Sequence, residues 1–168
     1  LGDLTADRPK CLIELKGRTI LERQLETLEL EGVADVALVR GHQKDKFPET
    51  GPRYVDNDEY AESGELYSLH KAIDALAGPT LVVYGDLIFD HACLDRLVHS
   101  ERDISLLVDR SFRDEPADAR PAESAPDLVV ERDAPPAGMR YMPSREPGVA
   151  VKVGRDISRD DAHSEYVG

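Results

Sequence analysis

The sequence predicts an α/β domain: a mostly parallel sheet with helices on both faces. Three observations carry that expectation. Segments of strand composition alternate with segments of helical spacing. The clearest strand segments, "TLVVYGD" (80–86) and "DISLLVD" (103–109), are continuous apolar runs, the pattern of strands covered on both faces. The links are short, which places successive elements side by side.

"CLIEL" (11–15) has β-type composition, and "KGR" (16–18) is a turn signal. Thr19 is placed to cap "TILERQLETLEL", whose apolar positions 20, 21, 25 and 28 follow helical spacing until Gly32 stops it. "DVALVRG" (35–41) reads as a strand running into glycine, and "RYVDN" (53–57) as a second short strand ending in turn formers. "SGELYSLHKAIDALAG" (63–78) begins with a serine cap and sets Leu66, Leu69, Ile73 and Leu76 on one face, with Leu66 and Leu69 expected in the core. Residues 80–86 form the next strand. "ACLDRLVHS" (92–100) is helical, with Asp90 as its cap, and 103–109 is another buried strand. From about 110 to 148 proline and charge dominate, around a short "DLVVE" strand, as in an excursion or mobile lid. "VAVKVG" (149–154) resumes the β pattern, and "SRDDAHSEYVG" reads as a helical turn entering a last strand.

A chain of 168 residues with 40% hydrophobic content suits a single domain, 1–168. Residue 1 is leucine, and "SEYVG" stops within a strand-like run, so the domain is expected to be incomplete at both ends. No apolar run approaches a membrane span and no signal-peptide pattern opens the chain, which points to the cytoplasm and away from membranes. Cys11 and Cys93 sit far apart in apolar stretches, as buried thiols do. The net charge of −13 argues against a basic face that tracks nucleic acid. Any anion must instead be gripped by a few focused cations. Oligomeric state is not fixed by these features, and a homo-oligomer stays open.

In parallel α/β sheets ligands sit at the carboxyl ends of the strands. Gly41, Asn57 and Gly85 stand at three such ends, and the glycines let a base or ribose approach the backbone; the alternative for each is a plain turn. Asp86, after Gly85, suits Mg²⁺, which prefers one or two carboxylates plus phosphate oxygens. Arg8 and Lys10 flank Pro9, and in an extended segment they project to one side as a phosphate fork; the alternative is a solvated loop. Ser68, off the apolar face of its helix, meets either a ligand or solvent. The five histidines, His42, His70, His91, His99 and His163, show no metal-ligand spacing. No nucleophile–base pair can be assembled.

Together these pieces resemble a known family. "LGDLTADRPKCLIELKGRTILERQLETLELEGVADVALVRGHQ", "DNDEYAESGELYSLHKA", "LVVYGDLIFD" and "VAVKVGRDISRDDAHSEYVG" are similar, in this order, to segments of the sugar-nucleotidyltransferase-like superfamily. The resemblance is closest to its cytidylyltransferases for phosphocholine and phosphonates. It implies a Rossmann-like fold of the nucleotide-diphospho-sugar transferase type, CTP as co-substrate, Mg²⁺ as cofactor, and attack of a phosphate or phosphonate oxygen on the α-phosphorus with loss of pyrophosphate. Lys10 matches the lysine that neutralises charge on the phosphates, with Arg8 sharing that work, and Asp86 matches the magnesium-binding aspartate. Gly2, Gly41, Asn57, Ser68 and Gly85 fall where the family contacts nucleotide, and Lys152 and Glu165 where it faces the acceptor. The family's glycine-rich segment would precede residue 1, and its second metal-binding aspartate would follow residue 168. Gly64-Glu65 replace its asparagine, so the contact made there is in doubt.

The absence of Trp and the presence of three Phe disfavour an aromatic cage for choline. The proline-rich excursion looks most like that of cytidylyltransferase domains fused to phosphoenolpyruvate mutase in phosphonate pathways such as that of fosfomycin. 2-Hydroxyethylphosphonate or 2-aminoethylphosphonate is therefore the expected acceptor. A phosphocholine or sugar-1-phosphate nucleotidyltransferase, or a non-catalytic nucleotide-binding domain of the same fold, are the alternatives.

Overall fold

The computed structural model describes residues 5–114, 116, 126–134 and 147–167. Gly2 and most of the proline-rich segment lie outside the described residues. The chain divides into two compact units, Leu1–Glu101 and Arg102–Gly168.

In the first unit a 3-10 turn, Lys10–Leu12, leads into a two-stranded hairpin, β1 (Glu14–Leu15) and β2 (Arg18–Thr19). Lys16 (φ 54°) and Gly17 (φ 77°) turn it, the paired positive φ angles that suit the twist of a tight antiparallel hairpin. Helix α1 (Ile20–Leu30) starts where the sequence places it. The Glu22 amide donates to Thr19 Oγ1 (3.1 Å), and the Thr19 amide donates back to Glu22 Oε2 (2.7 Å), a reciprocal cap. At the other end Gly32 adopts φ +75°, and the Gly32 and Val33 amides bond the carbonyls of Glu29 and Leu28. This left-handed stop favours glycine.

Strands β3 (Ala37–Arg40) and β4 (Arg53–Asp56) pair in parallel, Ala37 opposite Arg53 and Arg40 opposite Asp56. Helix α2 (Glu65–Lys71) and helix α3 (His91–Val98) follow. Asp90 caps α3, its Oδ1 accepting from the Cys93 amide at 2.8 Å. The core gathers Cys11, Leu21 and Phe47, with Leu12, Leu25, Leu38 and Tyr54 packed against them.

Three expectations are corrected here. Residues 80–86 carry no strand ladder. Val82 is half exposed, and the Tyr84 and Leu87 carbonyls accept from the buried Gln24 side chain, at 2.8 Å each, instead of from a strand. Leu66 is 83% exposed and Ile73 54%, so the apolar face of the 63–78 segment is not a core face. The cap of α2 is Gly64, without a side-chain bond, rather than Ser63.

The second unit is an antiparallel sheet of β5 (Val108–Asp109), β6 (Leu128–Arg132), β7 (Val149–Gly154) and β8 (Ser164–Tyr166), in the order β5-β8-β6-β7. A 3-10 turn, Ser111–Asp114, puts Phe112 into a core with Leu128, Ile157 and Ala162. The "DLVVE" strand is thus not an isolated piece of an excursion: β6 pairs with both β7 and β8. The chain has α/β content as expected. Parallel pairing, however, is confined to β3 and β4 among the described residues, and residues 103–107 lie outside any strand. No helix of the described residues is long and apolar enough to cross a membrane.

Candidate functional site

A cleft of about 410 Å³ opens in the first unit, where the chain enters its core and where β3 ends. Lys10 reaches it from the 3-10 turn that follows Pro9, Gly41 from the end of β3, and Gly85 and Asp86 from the segment after residue 80. Lys10 Nζ donates to Asp86 Oδ2 at 3.2 Å, across a sequence separation of 76 residues. Both side chains are about half exposed, so this pair faces solvent in the cleft and is not sealed in the core.

Pro9 (φ −60°, ψ 150°) is followed directly by the turn, so Arg8 and Lys10 do not form the extended fork expected of them. Arg8 instead grips Asp7, Nε to Oδ1 at 2.9 Å and Nη2 to Oδ2 at 3.2 Å. That hydrogen bonding lowers the Asp7 pKa and raises that of Arg8. Arg8 is not among the residues that line the cleft.

The two glycines of the cleft differ. A Cβ on Gly41 would fall 2.5 Å from Tyr60 Cβ, whereas one on Gly85 would stand 3.6 Å from Cys11 Cβ, an ordinary contact. Cys11, also a lining residue, has its thiol pushed up to about 11 by burial and, secondarily, by the nearby Asp86 charge. It is therefore an un-ionised thiol near neutral pH.

Asn57 and Ser68 meet each other away from the lining. Asn57 is 1% exposed. Its Nδ2 donates to Ser68 Oγ (3.0 Å) and Ser63 Oγ (3.1 Å), and its Oδ1 accepts from the Glu59 amide (3.1 Å). This saturated amide ties the segment between β4 and α2 to the start of the helix. The expected acceptor-facing residues belong to the second unit. Lys152, on β7, pairs with Asp156 at 2.8 Å, and Glu165, on β8, lies opposite Asp109 and Leu128.

The cleft also holds two residues that the sequence reading passed over, Arg40 and His42. Arg40 Nε donates to Asp56 Oδ1 (2.6 Å), and Lys44 Nζ bonds Asp56 Oδ2 (3.2 Å) and Asp58 Oδ1 (2.5 Å). The Arg40 bond, against the opposing effect of desolvation and with help from Lys44, lowers the Asp56 pKa; the bonds to Asp58 and Asp56 raise that of Lys44. The signal was present: Arg40 immediately precedes Gly41 at the carboxyl end of a strand. A glycine there attracts attention to the backbone and draws it from the charged neighbour.

Chemically, the cleft offers ammonium, guanidinium and carboxylate groups beside exposed glycine backbone. Such a set binds and neutralises a polyanion and leaves the bond-making to the ligands.

Residues 5–138 match the MobA-like NTP transferase domain, a span that holds Lys10, Gly41, Gly85 and Asp86 and stops short of Lys152 and Glu165. The chain is 24% identical, over 67% of its length, to a CTP:phosphoglutamine cytidylyltransferase of Campylobacter jejuni, covering 49% of that protein. It is 32% identical, over 52% of its length, to a 2-aminoethylphosphonate cytidylyltransferase of Lancefieldella rimae, covering 38% of it. A CMP-5'-(3-aminopropyl)phosphonate synthase of Streptomyces rubellomurinus is 30% identical over 67% of the chain, which covers 19% of that protein. The chain thus spans half or less of the length of these relatives.

Proposed function

The chain belongs to the MobA-like NTP transferase domain family, and on that premise we propose that it transfers CMP from CTP to a small phosphonate, releasing pyrophosphate. The acceptor is 2-hydroxyethylphosphonate or 2-aminoethylphosphonate. The observation that carries the reading is the convergence of Lys10 and Asp86, 3.2 Å apart, in a cleft floored by Gly41 and Gly85. The names of two relatives, a 2-aminoethylphosphonate cytidylyltransferase and a CMP-5'-(3-aminopropyl)phosphonate synthase, support the choice of nucleotide and of acceptor class.

The reaction forms one bond, from an acceptor oxygen to the α-phosphorus of CTP, and breaks the bond from that phosphorus to the bridging oxygen. The electron pair leaves with pyrophosphate. The acceptor oxygen is already anionic, so no strong base is needed. Lys10 places its ammonium where charge builds on the phosphates. Asp86 is the residue that would hold Mg²⁺: it is a half-exposed oxygen ligand at the cleft, the donor type that this ion takes. When bound, the ion neutralises phosphate charge. Gly41 and Gly85 let the nucleoside lie against the main chain, and Gly2 is assigned to nucleotide binding with them. Asn57 and Ser68 brace the loop beyond β4. Arg8, held by Asp7, adds supporting positive charge. Lys152 and Glu165 serve the acceptor. The proposal includes fusion to a phosphoenolpyruvate mutase domain.

The test is pyrophosphate release by the intact protein with CTP and Mg²⁺, across phosphonates, phosphocholine and sugar 1-phosphates. Turnover is expected with a phosphonate and falls more than about a hundredfold in Lys10→Ala with the fold unchanged. Preference for a sugar 1-phosphate would move the assignment to NDP-sugar synthesis, and no pyrophosphate with any acceptor would leave a binding domain.

A further inference from the structure

Outside the cleft, four titratable side chains meet at the junction of α1 and α3. His91, Asp95 and His99 recur every four residues along α3 and its C-cap, hence on one face. Glu31, the C-cap of α1, meets that face. Ligand-capable atoms of Glu31, Asp95 and His99 all lie within 4.8 Å of one another. His91 Nε2 stands 2.6 Å from Glu31 Oε1, and His99 Nδ1 stands 3.1 Å from Asp95 Oδ1.

A second observation singles out Glu31. Its side chain is 5% exposed, and its Oε1 meets His91 Nε2 in an ion-pair contact that lacks hydrogen-bond geometry. Its nearest charge partner, His91, is a cation only while protonated. A buried carboxylate oxygen without a well-aligned donor is costly, and a ligand-capable oxygen of Glu31 lies within reach of an imidazole and a second carboxylate. Glu31 and His99 also close the carboxyl ends of their helices, where main-chain carbonyls carry partial negative charge and favour a cation.

We infer that Glu31, Asp95 and His99 form a binding site for a divalent transition cation of the Zn²⁺ type, with His91 fastening Glu31 from outside the ligand set. One imidazole and two carboxylates, completed by water, is a donor set that Zn²⁺ accepts. Mg²⁺ prefers all-oxygen surroundings, which separates this site from Asp86. The histidines show no ligand spacing along the chain because the third ligand comes from another helix. A bound ion ties the end of α1 to α3 and stabilises the first unit.

The experiment uses intact, tag-free protein stripped with chelator and titrated with ZnCl₂ alone, followed by calorimetry and thermal melting. Co²⁺ as the probe reports coordination through its visible absorption. One Zn²⁺ equivalent with micromolar affinity, a rise in Tm, and intense Co²⁺ bands are expected. Glu31→Gln and His99→Gln each weaken binding at least about tenfold and erase the Tm rise, while Asp86→Asn leaves both unchanged. His99 is an exposed position, so His99→Gln keeps the test decisive if Glu31→Gln misfolds. The inference is overturned by absence of saturable Zn²⁺ binding, by binding that survives His99→Gln, or by binding lost in Asp86→Asn.

Discussion

Gly41 and Gly85 line the same cleft for different physical reasons. Gly41 has no room for a side chain, because an added methyl would overlap the Tyr60 Cβ, an atom too close to the backbone to swing away. Gly85 has room. Gly41→Ala is therefore expected to lower stability by about 1–3 kcal/mol in urea unfolding. Gly85→Ala is expected to unfold as the wild type does but to bind CTP more weakly, by equilibrium titration. Equal stability loss in both would show that the second glycine also serves packing. The meeting of Lys10 and Asp86 in one cleft follows two sequence marks, a rigid proline before the lysine and a glycine before the aspartate. The environments of Arg8, Asn57 and Ser68 were not legible in the sequence. Asp7 stands beside Arg8 in the sequence, but only coordinates show that the guanidinium turns back onto it. Nothing in the text "DNDEY" says that Asn57 is saturated by two serines further along.

At the scale of elements, local chemistry was readable and pairing was not. Thr19 and Glu22 spell a cap within four residues, and Gly32 a stop, because each acts on backbone groups at its own helix end. Thr19→Ala is expected to cost about 1 kcal/mol, read as a lower urea midpoint with an unchanged slope. The run "TLVVYGD" reports a preference for burial, but a ladder needs a neighbour at the right register, and Gln24 takes those carbonyls instead. The 63–78 segment failed differently. Its leucines have helical spacing, but the helix ends at Lys71 and leaves Leu66 in solvent. Leu66→Gln should accordingly change stability by less than about 0.5 kcal/mol; a loss like that of a core leucine would place this face under cover.

At the scale of the molecule, acidity governs behaviour. With a net charge of −13, many of the cations described are paired with nearby carboxylates. In the second unit the buried Glu131 is the sharpest case. Burial works to raise its pKa, but bonds from Arg110 (2.5 Å) and Ser164 (2.6 Å) outweigh it and hold the carboxyl below its ordinary 4.5. A pKa lower in the folded than in the unfolded chain adds stability above about pH 4.5 and loses it as pH falls further. Glu131→Gln is expected to be less stable than wild type at pH 7 and to lose less stability between pH 4.5 and 3, followed by urea midpoints. A wild-type slope unchanged by the substitution would remove Glu131 from acid unfolding. The α/β content and the second unit's last strands were legible across the chain; the antiparallel order of that unit was not, because strand order is decided by partners far away in sequence.

The contact between Lys10 and Asp86 has a thermodynamic corollary. Without a guest, each charge already neutralises the other, so a lone dication or a lone polyanion can court one of them only by stranding its mate. A guest that carries both signs together, such as a metal-complexed triphosphate, exchanges one matched couple for two and strands neither. Under the proposed function, the resting pair therefore favours the assembled complex over its separate parts.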